Sequence, residues 1–276
     1  MGITYNGGKG HLWRFLVSQM PPHETYIEPF LGYGSVMRHK APAALNIGID
    51  LHNAAVNMVA TAMGYEGTAA TDAWNAWRHY DPTGHAWVFL CVDAVAWLED
   101  NGWKGNELVY VDPPYLMSTR RGGLRRYYEH EMADMDHALL LDLLTELPCQ
   151  VAVSGYWSEM YADMLSGWRL ERVMVQTRQG MAEECVWFNY PTPTVLHDAR
   201  WIGSGFRERE RIKRKKERWC RRLREMDGLE RQALLDAITE EGMMGQRPVT
   251  HVPGSDGLWG EMNPSLNYRV TVEEGV

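Results

Sequence analysis

The 276-residue sequence predicts an α/β fold: a mainly parallel seven-stranded sheet with helices on both faces, followed by a charged C-terminal helical extension. Three observations carry that reading. Over residues 1–195, short apolar runs alternate with stretches of helical spacing, and strands separated by helices pair in parallel beneath helical layers. After Pro191-Thr-Pro193 the composition changes to a highly charged, helix-favouring stretch. Hydrophobic residues make up 45% and charged residues 23%, the balance of a globular chain with a sizeable core, which excludes disorder throughout.

Taken in order, Tyr26-Ile27-Glu28 reads as a short strand. It runs into a glycine turn and an apolar segment from Ser35 that predicts a helix. Ala44–Ile49 is a second strand ending at Asp50, and Asn53–Met63 has helical character. Residues 64–86, rich in Gly, Thr, Asp and His, have no clear period. Ala86–Leu98 reads as a strand running into a helix, and Glu107–Val111 as a buried strand closed by Asp112-Pro113-Pro114. Met135–Leu147 has helical spacing, with leucines at 139, 140, 143, 144 and 147. Gln150–Val153, Trp168–Gln176 and Glu184–Tyr190 complete the sheet.

The extension, 196–242, predicts two helices. Arg207–Met226 places Glu210 before Arg214 and Glu217 before Arg221 at the supportive i,i+4 spacing. Ile212, Trp219 and Met226 recur every seven residues, with Leu223 between them, as a narrow apolar seam. Asp227-Gly-Leu-Glu230 has the form of a second helix start, and Gly242 is the expected stop. Residues 243–276, rich in Pro, Gly, Asn and Ser without period, predict a loop-rich tail.

Composition narrows the function. No apolar stretch approaches the roughly 18 residues a membrane helix needs, and Met1-Gly-Ile-Thr-Tyr5 has neither a basic flank nor an apolar signal core. Cys91, Cys149, Cys185 and Cys220 lie far apart with no CxxC pair, which predicts no disulfide framework, no zinc knuckle and a reducing cytoplasm. Ten histidines show no metal-ligand spacing, so no metal is expected. Residues 200–224 hold twelve Lys or Arg and three Glu, a local +9 against a net −8 for the chain, so the remainder carries −17. A basic arm on an acidic body points to a polyanionic partner.

Two motifs carry chemistry. Glu28-Pro-Phe30-Leu-Gly32-Tyr-Gly34-Ser lies between a strand and a predicted helix; its glycines permit a sharp turn and close approach of a ligand to the backbone. Asp50 at the next strand end can accept hydrogen bonds from ribose hydroxyls, as in nucleotide-binding α/β sheets. Met37 stands where a dinucleotide fingerprint needs its third glycine, which weakens a dinucleotide reading. Gly7-Gly8-Lys9 fails as a phosphate loop, because neither Ser nor Thr follows the lysine. The second motif is Asp112-Pro113-Pro114-Tyr115, at the carboxyl end of a buried strand where open α/β sheets place their sites. Two prolines leave no amide donor there. The Asp112 carboxylate and the Pro113 carbonyl form an acceptor wall for an exocyclic amine, and Tyr115 offers a flat face on which a base can stack.

These residues resemble the S-adenosylmethionine-dependent DNA adenine-N6 methyltransferases of the alpha class, a Dam-like family with a Rossmann-like methyltransferase fold. Asp112-Pro-Pro-Tyr115 matches their catalytic motif, Phe30-x-Gly32-x-Gly34 their cofactor loop and Asp50 their ribose-binding acid. Tyr5-Asn-Gly-Gly-Lys9 looks like their N-terminal cofactor motif, and Asp93-Ala94 resembles their contact to the cofactor adenine. The motifs come in the family's order, and the likeness runs from residue 3 to about 190, through Val153-Ser-Gly-Tyr156 and Trp187-Phe-Asn-Tyr190. The resemblance implies a catalytic set of Asp112, Pro113 and Tyr115. It implies S-adenosyl-L-methionine held by Tyr5, Lys9, Glu28, Phe30, Gly32, Gly34, Asp50, Asp93 and Asp112. It implies an adenine in double-stranded DNA flipped from its stack.

Only sixty-one residues separate Asp50 from Asp112, so the spare segment 64–86 is a short recognition insert. That predicts a short or relaxed target sequence, or recognition from elsewhere. The stretch Ser118–Tyr128 follows the catalytic motif, and its Arg120, Arg121, Arg125, Arg126 and Tyr127 suit phosphate contact and filling of the gap left by a flipped base. The charged 207–224 stretch suits nonspecific phosphate contact or packing. RNA adenine, cytosine N4, and a DNA-binding protein without turnover stay open as alternatives. So do the oligomeric state and a role as restriction partner, in phage self-protection or in gene regulation.

Overall fold

The computed structural model describes residues 12–65, 78–120, 130–177, 180–203 and 205–245. Tyr5, Lys9, Arg121, Arg125, Arg126 and Tyr127 lie outside the described residues, as do 66–77 and 246–276. The chain divides into two compact units, Met1–Arg214 and Lys215–Val276.

The first unit is built on one sheet of eight strands: β1 (Thr25–Glu28), β2 (Leu45–Ile49), β3 (His79–Tyr80), β4 (Ala86–Leu90), β5 (Glu107–Val111), β6 (Gln150–Gly155), β7 (Arg169–Thr177) and β8 (Gly180–Phe188). Their order is β3-β4-β2-β1-β5-β6-β8-β7. Strands β4, β2, β1, β5 and β6 are mutually parallel, so their carboxyl ends share one edge. Only the β3–β4, β6–β8 and β7–β8 pairs are antiparallel among the described residues.

The expected seven strands are all present, and β3 is an eighth. It comes from the end of segment 64–86, where Asp81-Pro-Thr-Gly84 folds a tight turn. Asp81 Oδ1 accepts from the Thr83 amide at 2.9 Å and the His85 amide at 3.0 Å, and Gly84 takes φ 89°. Part of the predicted recognition insert is therefore sheet edge.

Helices α1 (Leu12–Val17) and α2 (Asn53–Ala62) cover one face; α3 (Ala94–Asp100), α4 (Asp134–Glu146) and α5 (Glu159–Met164) cover the other. Alternation along the strands builds both layers. Tyr26, Leu108, Tyr110 and Ala152 pack with Trp13, Val56 and Val59. Ile27, Val109, Val111, Val151 and Val153 pack with Leu98, Leu140, Leu141 and Leu144. Burial on both sides is why these strands read as continuous apolar runs.

The helix expected from Ser35 is a single turn, closed by Arg38 N–H to Gly34 O at 2.9 Å and Lys40 N–H to Val36 O at 3.0 Å. Gly34 (φ 56°) stands before it and Pro42 disfavours helix at Ala41, so no longer helix fits between them.

In the extension, α6 spans Phe206–Glu225 and α7 spans Gly228–Gly245. The Asp227 carboxylate accepts the Leu229 amide at 3.0 Å, as expected of a helix start. Gly242 does not stop α7, which runs three residues further; a lone glycine weakens a helix without ending it.

Candidate active site at the carboxyl edge of the sheet

The sheet reverses its order at β1–β5: the chain leaves β1 toward β2 on one side and returns to β5 on the other. Open α/β sheets bind ligands in the crevice at such a switch point. Glu28 ends β1, Asp50 follows β2, Asp93 follows β4 and Asp112 follows β5, so all four acids lie along one edge.

The glycine turn is braced from both sides. Asp50 Oδ2 accepts the Gly32 amide at 2.8 Å, and Oδ1 accepts the His52 amide at 2.8 Å. Leu31 N–H bonds Ile49 O at 2.9 Å, tying the turn to the end of β2. Gly32 has φ 48° and open space where a side chain would project; Gly34, at φ 56°, is closed in, since a Cβ there would meet Val59 Cγ1 at 2.8 Å. One glycine keeps the backbone approachable, and the other lets the turn sit against α2.

Glu28 is buried beneath this turn. Its Oε2 accepts the Tyr26 hydroxyl at 2.9 Å and the Met37 amide at 3.0 Å, so it joins β1 to the helical turn that follows the glycines. Burial pushes its carboxyl up to about 8; the Asp112 carboxylate adds to the rise, while Tyr26, the Met37 amide and Lys40 oppose it. Lys40, itself buried and pushed down to about 7 by that burial, lies 4.2 Å from the Tyr26 ring centroid. Asp93 is exposed and caps α3, its Oδ1 accepting the Ala96 amide at 2.9 Å.

The tetrapeptide is held at both ends. Ser154 of β6 donates to Asp112 Oδ1 at 2.9 Å, and its Oγ also lies 2.9 Å from the Tyr110 hydroxyl. Parallel pairing of Val111 with Val153 makes this meeting possible, because it brings the residues that follow them side by side. The Tyr115 hydroxyl donates to Glu184, a buried acid on β8. Its ring meets Tyr156 edge-on, with centroids 4.7 Å apart. Pro113 is buried.

Arg120, expected to face DNA, turns inward. Its guanidinium forms a two-pronged ion pair with Glu131, at 2.9 and 2.6 Å, and its Nε donates to the Tyr115 carbonyl at 2.7 Å. Both side chains are over nine-tenths buried. Arg120 therefore braces the tetrapeptide and is not presented to a phosphate.

The structure thus brings Glu28, Gly32, Gly34, Asp50 and Asp112 to the carboxyl edge of the sheet around its switch point, with Phe30 half-buried in the same turn. It adds Ser154, Tyr156 and Glu184, which the sequence reading did not single out as site residues. Val153–Tyr156 and the strand from Glu184 were visible, but which of their side chains meet the tetrapeptide depends on strand register. Among the described residues, no group of three or more His, Cys, Asp or Glu is arranged to hold a metal ion, and no helix is long and apolar enough to cross a membrane.

No protein-family model matches the chain, and no curated protein sequence matches it. Solved structures resemble it distantly. The N-methyltransferase NodS of Bradyrhizobium japonicum WM9 superposes with a TM-score of 0.42 at 11% identity, over 66% of this chain and 96% of that one. The magnesium protoporphyrin IX methyltransferase of Synechocystis PCC 6803, crystallised with bound SAM, gives 0.38 at 13% identity, over 64% and 75%. An rRNA methylase of Streptococcus thermophilus gives 0.39 at 10% identity, over 67% and 98%. The strand order, and not this likeness, carries the architecture: a Rossmann-like, mainly parallel α/β sheet with an antiparallel hairpin at each edge.

Proposed function

We propose that the chain transfers a methyl group from S-adenosylmethionine to the N6 amine of adenine in double-stranded DNA. The observation that supports it is the Asp112–Tyr115 tetrapeptide at the switch point, its carboxylate anchored by Ser154 and its ring by Glu184, beside a glycine turn tied to Asp50. The fit to the cofactor rests on the open side of Gly32, where backbone can be approached, and on Asp50, an acceptor at the end of β2. Glu28, Phe30, Gly32, Gly34, Asp50 and Asp93 would hold the cofactor, with Tyr5 and Lys9 from the N-terminal motif. Bound S-adenosylmethionine supplies an electrophilic methyl group on a sulfonium sulfur.

The chain's own residues do the rest. Tyr115 stacks on an adenine turned out of the duplex, with Tyr156 setting the angle of its ring. Asp112 and the Pro113 carbonyl accept the two N6 hydrogens, which draws the nitrogen lone pair out of conjugation and aims it at the methyl. Ser154 keeps Asp112 oriented, and the Asp112 carboxylate is placed to receive the proton the amine sheds as the new N–C bond forms. No side chain becomes covalently attached.

Labelled methyl transfer to unmethylated DNA, followed by nucleoside analysis, tests this. Wild type should yield N6-methyladenine, and Asp112→Ala should lower the rate at least about 10³-fold while leaving the fold intact. Near-normal turnover by Asp112→Ala ends the assignment. Label in RNA or in N4-methylcytosine, with none in N6-methyladenine, replaces the substrate and keeps the chemistry.

A further inference from the structure

Helix α6 is a continuous 20-residue helix with no buried residue. It holds eleven Lys or Arg and four Glu, a net +7 in a chain whose total is −8, so everything outside it sums to −15. Basic residues lie on several faces of the helix, and five arginines align on one of them. Arg207, Arg211, Arg214, Arg218 and Arg221 follow one another at intervals of four, three, four and three residues, and all five are exposed. At 3.6 residues per turn they form one stripe about 21 Å long, flanked by Lys215 and Arg222. Glu208, Glu210 and Glu217 fall beside the stripe, and Glu225, four residues after Arg221, closes its C-terminal end. Arg211 is 3.6 Å from Glu208, an exposed pair that holds the guanidinium weakly. The apolar seam of Ile212, Trp219 and Leu223 occupies another face, so apolar packing there and ionic contact on the stripe do not compete.

We infer that this arginine stripe docks the phosphate backbone of double-stranded DNA. Arginine forks match phosphate oxygens in a bidentate way, and five of them in line suit a linear polyanion. A chain that is −15 elsewhere repels DNA, so a DNA substrate requires a concentrated cationic surface, which α6 provides. The contact reads charge and not sequence, so it raises local substrate concentration without choosing a target. The inference rests on DNA being the substrate.

The test uses the full-length chain, a fluorescent unmethylated duplex and anisotropy over a salt series. Arg214→Gln/Arg218→Gln/Arg221→Gln removes three stripe charges with good helix formers. Lys213→Gln/Lys216→Gln/Arg224→Gln removes three charges from other faces of the same helix. The stripe variant should lower the slope of log affinity against log salt by about 3, as loss of three phosphate contacts requires. Raising salt from about 50 to 200 mM should then weaken wild type about 40-fold more than the stripe variant. The off-stripe variant should keep most of the wild-type slope, and circular dichroism should show equal helix in all three proteins. Equal slopes for the two variants, an unchanged slope in the stripe variant, or tighter stripe-dependent binding to duplex RNA than to DNA each overturns the inference. S-adenosylmethionine binding by calorimetry reports separately on the methyltransferase reading. If DNA docking fails while cofactor binding persists, the stripe is wrong; if the cofactor does not bind while stripe-dependent docking persists, the reaction is wrong.

Discussion

At the scale of single residues, the acids of the sheet's carboxyl edge do different work although the sequence presents them alike. Asp50 spends oxygens on two backbone amides, Glu28 on a tyrosine hydroxyl and an amide, and Asp93 on a helix cap. Asp112 is bonded to a serine side chain that itself has a second partner in Tyr110. Glu184 reaches the tetrapeptide only through the Tyr115 hydroxyl, so on the proposed reaction it is a positioning residue. Glu184→Gln replaces a charge-assisted hydrogen bond by a neutral one, a loss of about 1–2 kcal/mol. The expected result is roughly a tenfold fall in kcat/KM for DNA, with S-adenosylmethionine affinity unchanged by calorimetry. A purely structural Glu184 would instead lower melting temperature and cofactor affinity together and leave kcat/KM of the remaining folded enzyme intact.

At the scale of elements, the glycine turn is where backbone geometry and packing are most tightly joined. Gly34→Ala forces an L-residue to φ 56° and drives a Cβ to 2.8 Å from Val59 Cγ1. The first effect costs about 1–2 kcal/mol and the second about 1–3 kcal/mol. Val59→Ala removes the obstructing methyls, so in that background Gly34→Ala should cost about 1–2 kcal/mol, measured by urea denaturation. An equal cost in both backgrounds would show that the close approach to α2 does not matter.

The elements also show where sequence is informative. Glu107–Val111 and Asn53–Ala62 are legible almost to the residue, because Leu108–Val111 is an unbroken apolar run and a ten-residue helix shows its period. Six-residue helices such as α1 and α5 show too little period to be seen. The tetrapeptide and the glycine turn were legible because their residue types are chemically specific. Ser154 and Glu184 were not, because their role exists only through the register of β6 and β8 against their neighbours. The inward turn of Arg120 is not legible for a related reason: an arginine among arginines reads as a phosphate ligand until its pairing with Glu131 is seen to bury it.

At the scale of the first unit as a whole, stability must answer to groups buried on opposite faces of one sheet. His23 stacks on His197 at 4.0 Å on the face of α1, and His137 in α4 bonds the Tyr161 hydroxyl at 2.9 Å on the other face. Burial pushes His23 down to about 3 and His137 to about 4, and lowers His197 as well. Above pH 6.5 these rings are neutral folded or unfolded. As pH falls below 6.5 the unfolded chain takes up protons that the folded one refuses, so the contribution of His137 is lost between 6.5 and about 4 and that of His23 between 6.5 and about 3. Glu28 works in the opposite sense: between about 4.5 and 8 the folded state keeps a proton that the unfolded chain has released, so its contribution is complete below 4.5 and disappears as pH rises through 8. From 4.5 to 6.5 the imidazoles of His23 and His137 outweigh one carboxyl, with His197 acting in the same sense, and melting temperature should fall on acidification. Each uncompensated proton is worth about 1.4 kcal/mol per pH unit. Glu28→Gln keeps an oxygen that can accept from Tyr26 and Met37 but removes the opposing titration. The variant should therefore lose stability more steeply than wild type between pH 6.5 and 4.5 and more shallowly between 6.5 and 7, below the range in which Lys40 releases its own proton, whereas parallel curves would mean that Glu28 titrates alike in the folded and unfolded chains.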